Sequence, residues 1–111
     1  MKKASRGAAF ALVLIGMVPN ANAASVEHYY KTVSLLEVAD TTCIFFQLTG
    51  VTQANPVVPN VSWFAIEKTQ GNAKEMYALL LSARLSGTTL TRVQTSGDIV
   101  CGQAKVLTID L

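Results

Sequence analysis

The sequence has few of the residues that catalytic and metal sites use. It contains one histidine, His28, and two cysteines, Cys43 and Cys101, and charged residues make up 14% of the chain. The seven acidic residues are spread singly along the sequence, which has no glycine-rich phosphate-binding loop. Catalysis needs a nucleophile beside a base, a carboxylate pair or a metal cluster. The composition therefore predicts a protein that is not an enzyme and that uses no metal and no cofactor.

A long hydrophobic run occurs only near the N-terminus. In "MKKASRGAAFALVLIGMVPNANA", basic residues precede an apolar run from Ala8 to Val18, and Ala21 and Ala23 form a small-residue cleavage site. This is the pattern of a secretory signal peptide, and the run is shorter than the roughly 20 residues that span a bilayer. The sequence predicts a signal peptide over residues 1–23 and an exported protein, periplasmic or secreted, with one domain over residues 24–111 and no membrane span.

Positive charge is not concentrated anywhere after the predicted cleavage site. Three of the nine lysines and arginines lie in the signal peptide, whereas all seven acidic residues follow it, so the mature chain has a net charge of −1. Proteins that bind nucleic acid concentrate positive charge on one surface. The sequence therefore predicts no nucleic-acid partner.

Both cysteines lie in the exported part of the chain. A domain of about 88 residues is only marginally stabilised by burial, and an oxidising compartment favours disulfides. The alternative, a reactive or metal-binding thiol, is disfavoured because the sequence has no CxxC motif and His28 lies far from both cysteines. The sequence predicts a disulfide between Cys43 and Cys101.

Alternating apolar residues predict five strands. The segments "KTVSLLEV" and "TCIFFQL" predict two strands joined by a short hairpin turn at Asp40, and "VSWFAIEK" predicts the third. The segment "TTLTRVQT" predicts the fourth strand, followed by a turn at "SGD". The last segment, "AKVLTIDL", predicts a strand that turns Leu107, Ile109 and Leu111 towards the core.

One helix is predicted between the third and fourth strands. Asn72 is expected to cap its N-terminus in a capping box with Glu75, and Gly87 to end it in the left-handed conformation. Its apolar surface is wider than one sheet can cover. The residues that extend this surface are the predicted homo-oligomer interface: Tyr77, Ala78, Leu81 and Leu85.

The predicted order is strand, strand, strand, helix, strand, strand. This mostly β arrangement with one helix is the order of a five-stranded OB-fold-like barrel. The alternative is an open α+β sheet with the helix laid across it.

Trp63, the only tryptophan, is predicted to lie on the half-polar face of the third strand. Two interpretations follow. Trp63 is a candidate ligand platform for a sugar ring or a partner surface, or it packs beneath the loop over residues 53–59 as part of a small satellite core.

The C-terminal segment "AKEMYALLLSARLSGTTLTRVQTSGDIVCGQAKVLTIDL" is similar to a pattern in small exported bacterial proteins. Its elements, with the size and the predicted signal peptide, resemble the B subunits of A-B toxins of the cholera, pertussis and subtilase types, which assemble as five-membered rings. The resemblance implies a ring in which, as in the cholera type, the helix lines the central pore, and a glycan or cell-surface ligand. The chain departs from the cholera type because Cys43 lies in the predicted second strand rather than in an N-terminal helix. None of the receptor-binding residues of these toxins can be placed on it.

These observations favour an exported, non-enzymatic binding module that forms a ring and binds a glycan or a cell surface. The alternative is a monomeric periplasmic interaction or inhibitor protein.

Overall fold

The computed structural model of the protein describes residues 24–111, so the predicted signal peptide lies outside the described residues. This part of the chain forms one sheet of six strands and one helix. In chain order, the elements are β1 Val26–Lys31, β2 Val33–Val38, β3 Cys43–Leu48, β4 Phe64–Glu67, α1 Ala73–Ser86, β5 Leu90–Val100 and β6 Gln103–Asp110. The described helix is not long and apolar enough to cross a membrane.

The strands lie in the order β1-β5-β6-β4-β3-β2 across the sheet. The pair β4 and β6 is parallel, and the other pairs are antiparallel. The predicted hairpin is present, with Val38 opposite Ile44 near its turn. The helix connects β4 to β5, which confirms the predicted OB-like order of elements.

The two edge strands of the sheet are neighbours in the chain. Only Thr32 separates β1 from β2, and the Thr49 backbone N–H donates to the Thr32 carbonyl at 2.9 Å. The sheet is not closed by a hydrogen-bonded ladder between these two edges. It is OB-like in the order of its strands and open in its hydrogen bonding, so it combines both predicted alternatives.

The strand β1 is a sixth strand that the alternating pattern did not predict. Its residues are mostly polar or exposed, because it is an edge strand that pairs only with β5. His28, which the sequence analysis left outside any element, lies on it. The His28 Nε2 is 2.8 Å from the Ala54 carbonyl, and the imidazole meets the Phe64 ring edge-on at 5.3 Å. His28 therefore has a packing role.

The core lies between one face of the sheet and the helix. Phe46 and Phe64 stack with ring centroids 4.9 Å apart, and both are fully buried. The helix contributes the face formed by Ala73, Met76, Leu80 and Ala83. Burial of these side chains gives most of the stabilisation, at about 25 cal/mol per Å² of apolar surface removed from water.

The sequence predicted the C-terminal end of the helix correctly but not its N-terminal cap. Gly87 ends the helix in the left-handed conformation, as predicted. The predicted capping box at Asn72 is wrong, because the Asn72 side chain makes no capping hydrogen bond. Instead, its amide Nδ2 donates to the Leu107 carbonyl at 3.1 Å, which ties the start of the helix to β6.

The last two strands correct two further predictions. The segment "SGD" lies inside β5, and the turn falls at Cys101 and Gly102. Leu107 is exposed rather than in the core, at 38% exposure, whereas its neighbour Val106 is fully buried. The cause is a register shift: Val106 and Thr108 face consecutive residues of β5, so Leu107 is an extra residue at a β-bulge. Leu111 is also exposed.

Candidate functional site

The candidate site is an open cleft on the outer side of the sheet. We call it the Trp63 cleft. It has a volume of about 220 Å³ and is lined by Glu37, Phe45, Trp63, Cys101 and Gln103. Glu37 lies in β2, Phe45 lies in β3 and Trp63 comes just before β4. Cys101 lies in the turn between β5 and β6, and Gln103 is the first residue of β6.

Strand pairing brings the lining residues together. Glu37 lies directly opposite Phe45 in the β2–β3 ladder. Trp63 precedes Phe64, which pairs with Phe46 on one side and with Ala104 on the other. Because side chains alternate between the faces of a sheet, the residues beside these pairs point outwards. Glu37 and Phe45 therefore lie in one row of the outer surface, and Trp63 and Gln103 lie in the neighbouring row.

Trp63 is partly buried and its ring has one aromatic neighbour. The Phe45 ring meets it edge-on, with centroids 6.3 Å apart and planes at 80°. Trp63 is separate from the buried aromatic pair of the core. Trp63 lies beside Phe45 at an open cleft, so its ring is supported on one side and partly accessible on the other.

The disulfide forms one wall of the cleft. Cys43 and Cys101 are bonded as predicted, with their Cα atoms 6.5 Å apart. Cys43 is buried at the start of β3, and Cys101 is exposed in the β5–β6 turn. The bond therefore holds this turn, and the Gln103 that follows it, against β3.

The turn itself has an uncommon backbone. Cys101 has a φ of 51° and Gly102 a φ of 79°. A two-residue hairpin turn with both central residues at positive φ is a type I′ turn, which favours Asn-Gly. A cysteine at the first position is strained by comparison, because of its Cβ. The disulfide is the evident reason for the cysteine at this position.

The polar groups of the cleft are a carboxylate and an amide. Glu37 is exposed, and Gln103 is partly buried. The Gln103 Oε1 is buried and accepts no hydrogen bond from any residue that the structure describes. An aromatic ring flanked by a carboxylate and an amide can stack on one face of a small ring and bond its hydroxyl groups.

The predicted oligomer-interface residues lie elsewhere, on the helix. Tyr77 is partly buried and packs against the core. Ala78, Leu81 and Leu85 are exposed, with Leu85 at 78%. At 100° per residue these three lie diametrically opposite Met76 and its buried neighbours. We call them the outer helix stripe.

Tyr77 instead borders a second cleft, of about 240 Å³. The other residues that line it are Ile44, Lys68, Ala73 and Lys74. It lies where the start of the helix meets β3.

The sequence pattern predicted the disulfide, which is present, and proposed Trp63 as a candidate, but it did not indicate Glu37, Phe45 or Gln103. Phe45 and Glu37 have the alternation of residues that face away from the core, and this signal was available in the sequence. Gln103 had no such signal, because its place depends on the position of the β5–β6 turn. Among residues 24–111, no group of three or more His, Cys, Asp or Glu residues is arranged to hold a metal ion.

Comparison with known proteins gives a fold relationship only. The chain matches no protein family model and no curated protein. Among solved structures it is similar to a chain of the GM1-bound form of the ECX AB5 holotoxin, with a TM-score of 0.57 and 10% sequence identity. The similarity covers 100% of this chain and 97% of that one. The fold therefore resembles that of AB5 toxin B subunits, as the sequence predicted.

Proposed function

We propose that this protein is an exported, non-enzymatic binding module that recognises a glycan on a cell surface through the Trp63 cleft. The observation that carries the proposal is the position of the only tryptophan, in an open cleft with a carboxylate and an amide at its sides. The similarity of the fold to a chain of an AB5 holotoxin adds support. Export through the signal peptide over residues 1–23 is part of the proposal, and the disulfide supports it.

The dimensions of the cleft suit one sugar ring. Its volume of about 220 Å³ lies below the roughly 300 Å³ at which pockets for drug-sized ligands begin. One ring on one aromatic surface gives weak binding, in the millimolar range at about −4 kcal/mol. A protein with such a weak site binds a cell surface tightly only if several copies of the site engage the surface simultaneously.

A homo-oligomer would supply those sites, and we propose that the outer helix stripe is part of its interface. Ala78, Leu81 and Leu85 give the helix an apolar band on the side that the sheet does not cover. A contiguous exposed band is less common than scattered exposed leucines. A closed ring covers this band in every subunit and places all the clefts in equivalent positions.

Ligand binding is tested with the exported protein on an array of immobilised glycans. Trp63→Ala is expected to lose binding, because it removes the stacking surface. Tyr30→Ala is the matched control, since Tyr30 is an aromatic residue at 69% exposure outside the cleft. If Trp63→Ala binds as well as the wild type, the cleft is not the site.

Ring formation is tested by measuring mass in solution. Ala78→Glu and Leu81→Lys are expected to give monomers that keep the circular dichroism spectrum of the wild type. Ser82→Lys adds the same charge at an exposed position beside the stripe and is expected to leave the oligomer intact. A wild type that is monomeric at tens of micromolar, where weak interfaces are already occupied, would favour a monomeric periplasmic interaction or inhibitor protein.

A further inference from the structure

We infer that the Trp63 cleft selects a saccharide ring without an acidic group and discriminates against rings that carry a carboxylate. This inference rests on the proposed function and specifies the ligand class of the same site. It follows from the hydrogen-bonding groups that the cleft offers and from its charge.

The first observation is the exposed carboxylate at one side of the cleft. Glu37 is held at its place by the pairing with Phe45, so that it stands beside the aromatic surface. A carboxylate accepts hydrogen bonds and donates none. A ligand hydroxyl can donate to it, whereas a ligand carboxylate can only repel it.

The second observation is the free acceptor on the opposite side. The Gln103 Oε1 is buried and has no donor among the described residues. A buried acceptor without a partner costs about 1–3 kcal/mol. The terminal torsion of glutamine has a broad, nearly two-fold energy profile, so the amide can turn this oxygen towards a ligand at small cost. A ligand hydroxyl, which both donates and accepts, can therefore bond the Glu37 carboxylate on one side of the cleft and either end of the Gln103 amide on the other.

The third observation is that no positive charge compensates Glu37 within the cleft. Among the described residues that line it, none is a lysine or an arginine. Outside the cleft, the Lys68 Nζ donates to the Ala39 carbonyl at 3.3 Å, so this cation lies near the end of β2 and is engaged by a backbone acceptor. Lys105 stands on the same row of the sheet as Glu37, across Phe45 and Ala65. That is three strand spacings from Glu37, or about 14 Å. The distance exceeds the screening length of about 8 Å at physiological ionic strength.

The test compares ligands that differ at one carbon. The probes are methyl galactoside and methyl glucoside, each paired with its uronic acid, in which a carboxylate replaces the hydroxymethyl group. Trp63 is the only tryptophan in the chain, so its fluorescence reports binding at the cleft directly. At low ionic strength each uronic acid is expected to bind about threefold to fivefold more weakly than its hexose, the range typical of a charge interaction at an exposed site.

Two variants locate the cause of the discrimination. Glu37→Gln removes the negative charge, keeps the shape and is expected to bring each pair of probes to similar affinity. Glu75→Gln removes an exposed carboxylate on the helix and is expected to leave the discrimination unchanged. Added salt should also reduce the difference between the paired probes in the wild type.

The outcomes separate this inference from the proposed function. If the uronic acids bind as tightly as the hexoses or more tightly, the ligand class is wrong, although the cleft still binds saccharides. If the difference persists in Glu37→Gln, the carboxylate is not its cause and the inference is overturned. If no probe changes Trp63 fluorescence even at tens of millimolar, both the inference and the proposed function are overturned.

Discussion

The disulfide is expected to provide a large part of the stability of the domain. It links residues 58 positions apart. In the chain-entropy model, closing a loop of this length stabilises the folded state by about 4 kcal/mol. A domain of this size has a total stability of roughly 5–15 kcal/mol. The double variant Cys43→Ala with Cys101→Ala should therefore lose about 4 kcal/mol and unfold at a much lower urea concentration.

The backbone conformation of the β5–β6 turn allows a second variant to be compared with the first. Cys101 has a positive φ and precedes Gly102, so asparagine suits its position better than alanine does. The double variant Cys43→Ala with Cys101→Asn should recover about 1 kcal/mol of the loss. Urea titrations followed by Trp63 fluorescence measure both differences.

Two results would refute this reasoning. If the alanine variant is as stable as the wild type within about 1 kcal/mol, loop closure is not the source of stability. If the asparagine variant is no more stable than the alanine variant, the turn does not have the type I′ preference that its φ angles indicate. The slope of unfolding free energy against urea should be equal in the two double variants, because both lack the disulfide. It should be steeper than in the wild type, whose cross-linked unfolded state exposes less surface.

Two further predictions concern the last strand and the edge strand. Val106→Asp should prevent folding, because it buries an unpaired charge at a cost of several kcal/mol. Leu107→Asp should cost only about 1 kcal/mol, because Leu107 is exposed. Circular dichroism and urea titration measure both effects, and equal effects would contradict the bulge. The Tyr29 hydroxyl donates to Glu27, and this hydrogen bond raises the pKa of Tyr29 above 10.0. The neutral tyrosine thus contributes stability below pH 10.0 that is lost as the pH rises through the raised pKa. Glu27→Ala should lower the pKa of Tyr29 in a tyrosinate absorbance titration referenced to Tyr29→Phe, and an unchanged titration would exclude Glu27 as the cause.

The sequence correctly predicted the helix and the hairpin, because in each of them a local pattern of apolar residues is sufficient to determine the secondary structure. The helix from Ala73 to Ser86 has a continuous apolar stripe and a terminal glycine. The hairpin of β2 and β3 has alternating strands and a short connection. Here local propensity and burial favour the same structure, so the periodic pattern was enough.

The remaining features depend on contacts between distant segments. The strand β1 pairs only with β5, and its segment Val-Glu-His-Tyr-Tyr-Lys lacks the regular apolar alternation of the other strands, although Val and Tyr favour strands. The exposure of Leu107 follows from a bulge, which alternation alone does not reveal. Asn72 bonds Leu107 rather than capping the helix because β6 brings an acceptor close to it. The place of Gln103 in the Trp63 cleft could not be predicted, because it depends on the position of the turn between β5 and β6.

The pairing of the first strand with the fifth affects when the protein can fold. Val26 lies opposite Thr95, 69 residues later in the chain. A growing or partly translocated chain that ends before β5 therefore has no partner for its first strand. Such long-range pairing slows folding and leaves the incomplete chain unfolded. A chain with this connectivity cannot complete its sheet, or form the bond between Cys43 and Cys101, until almost all of it is available.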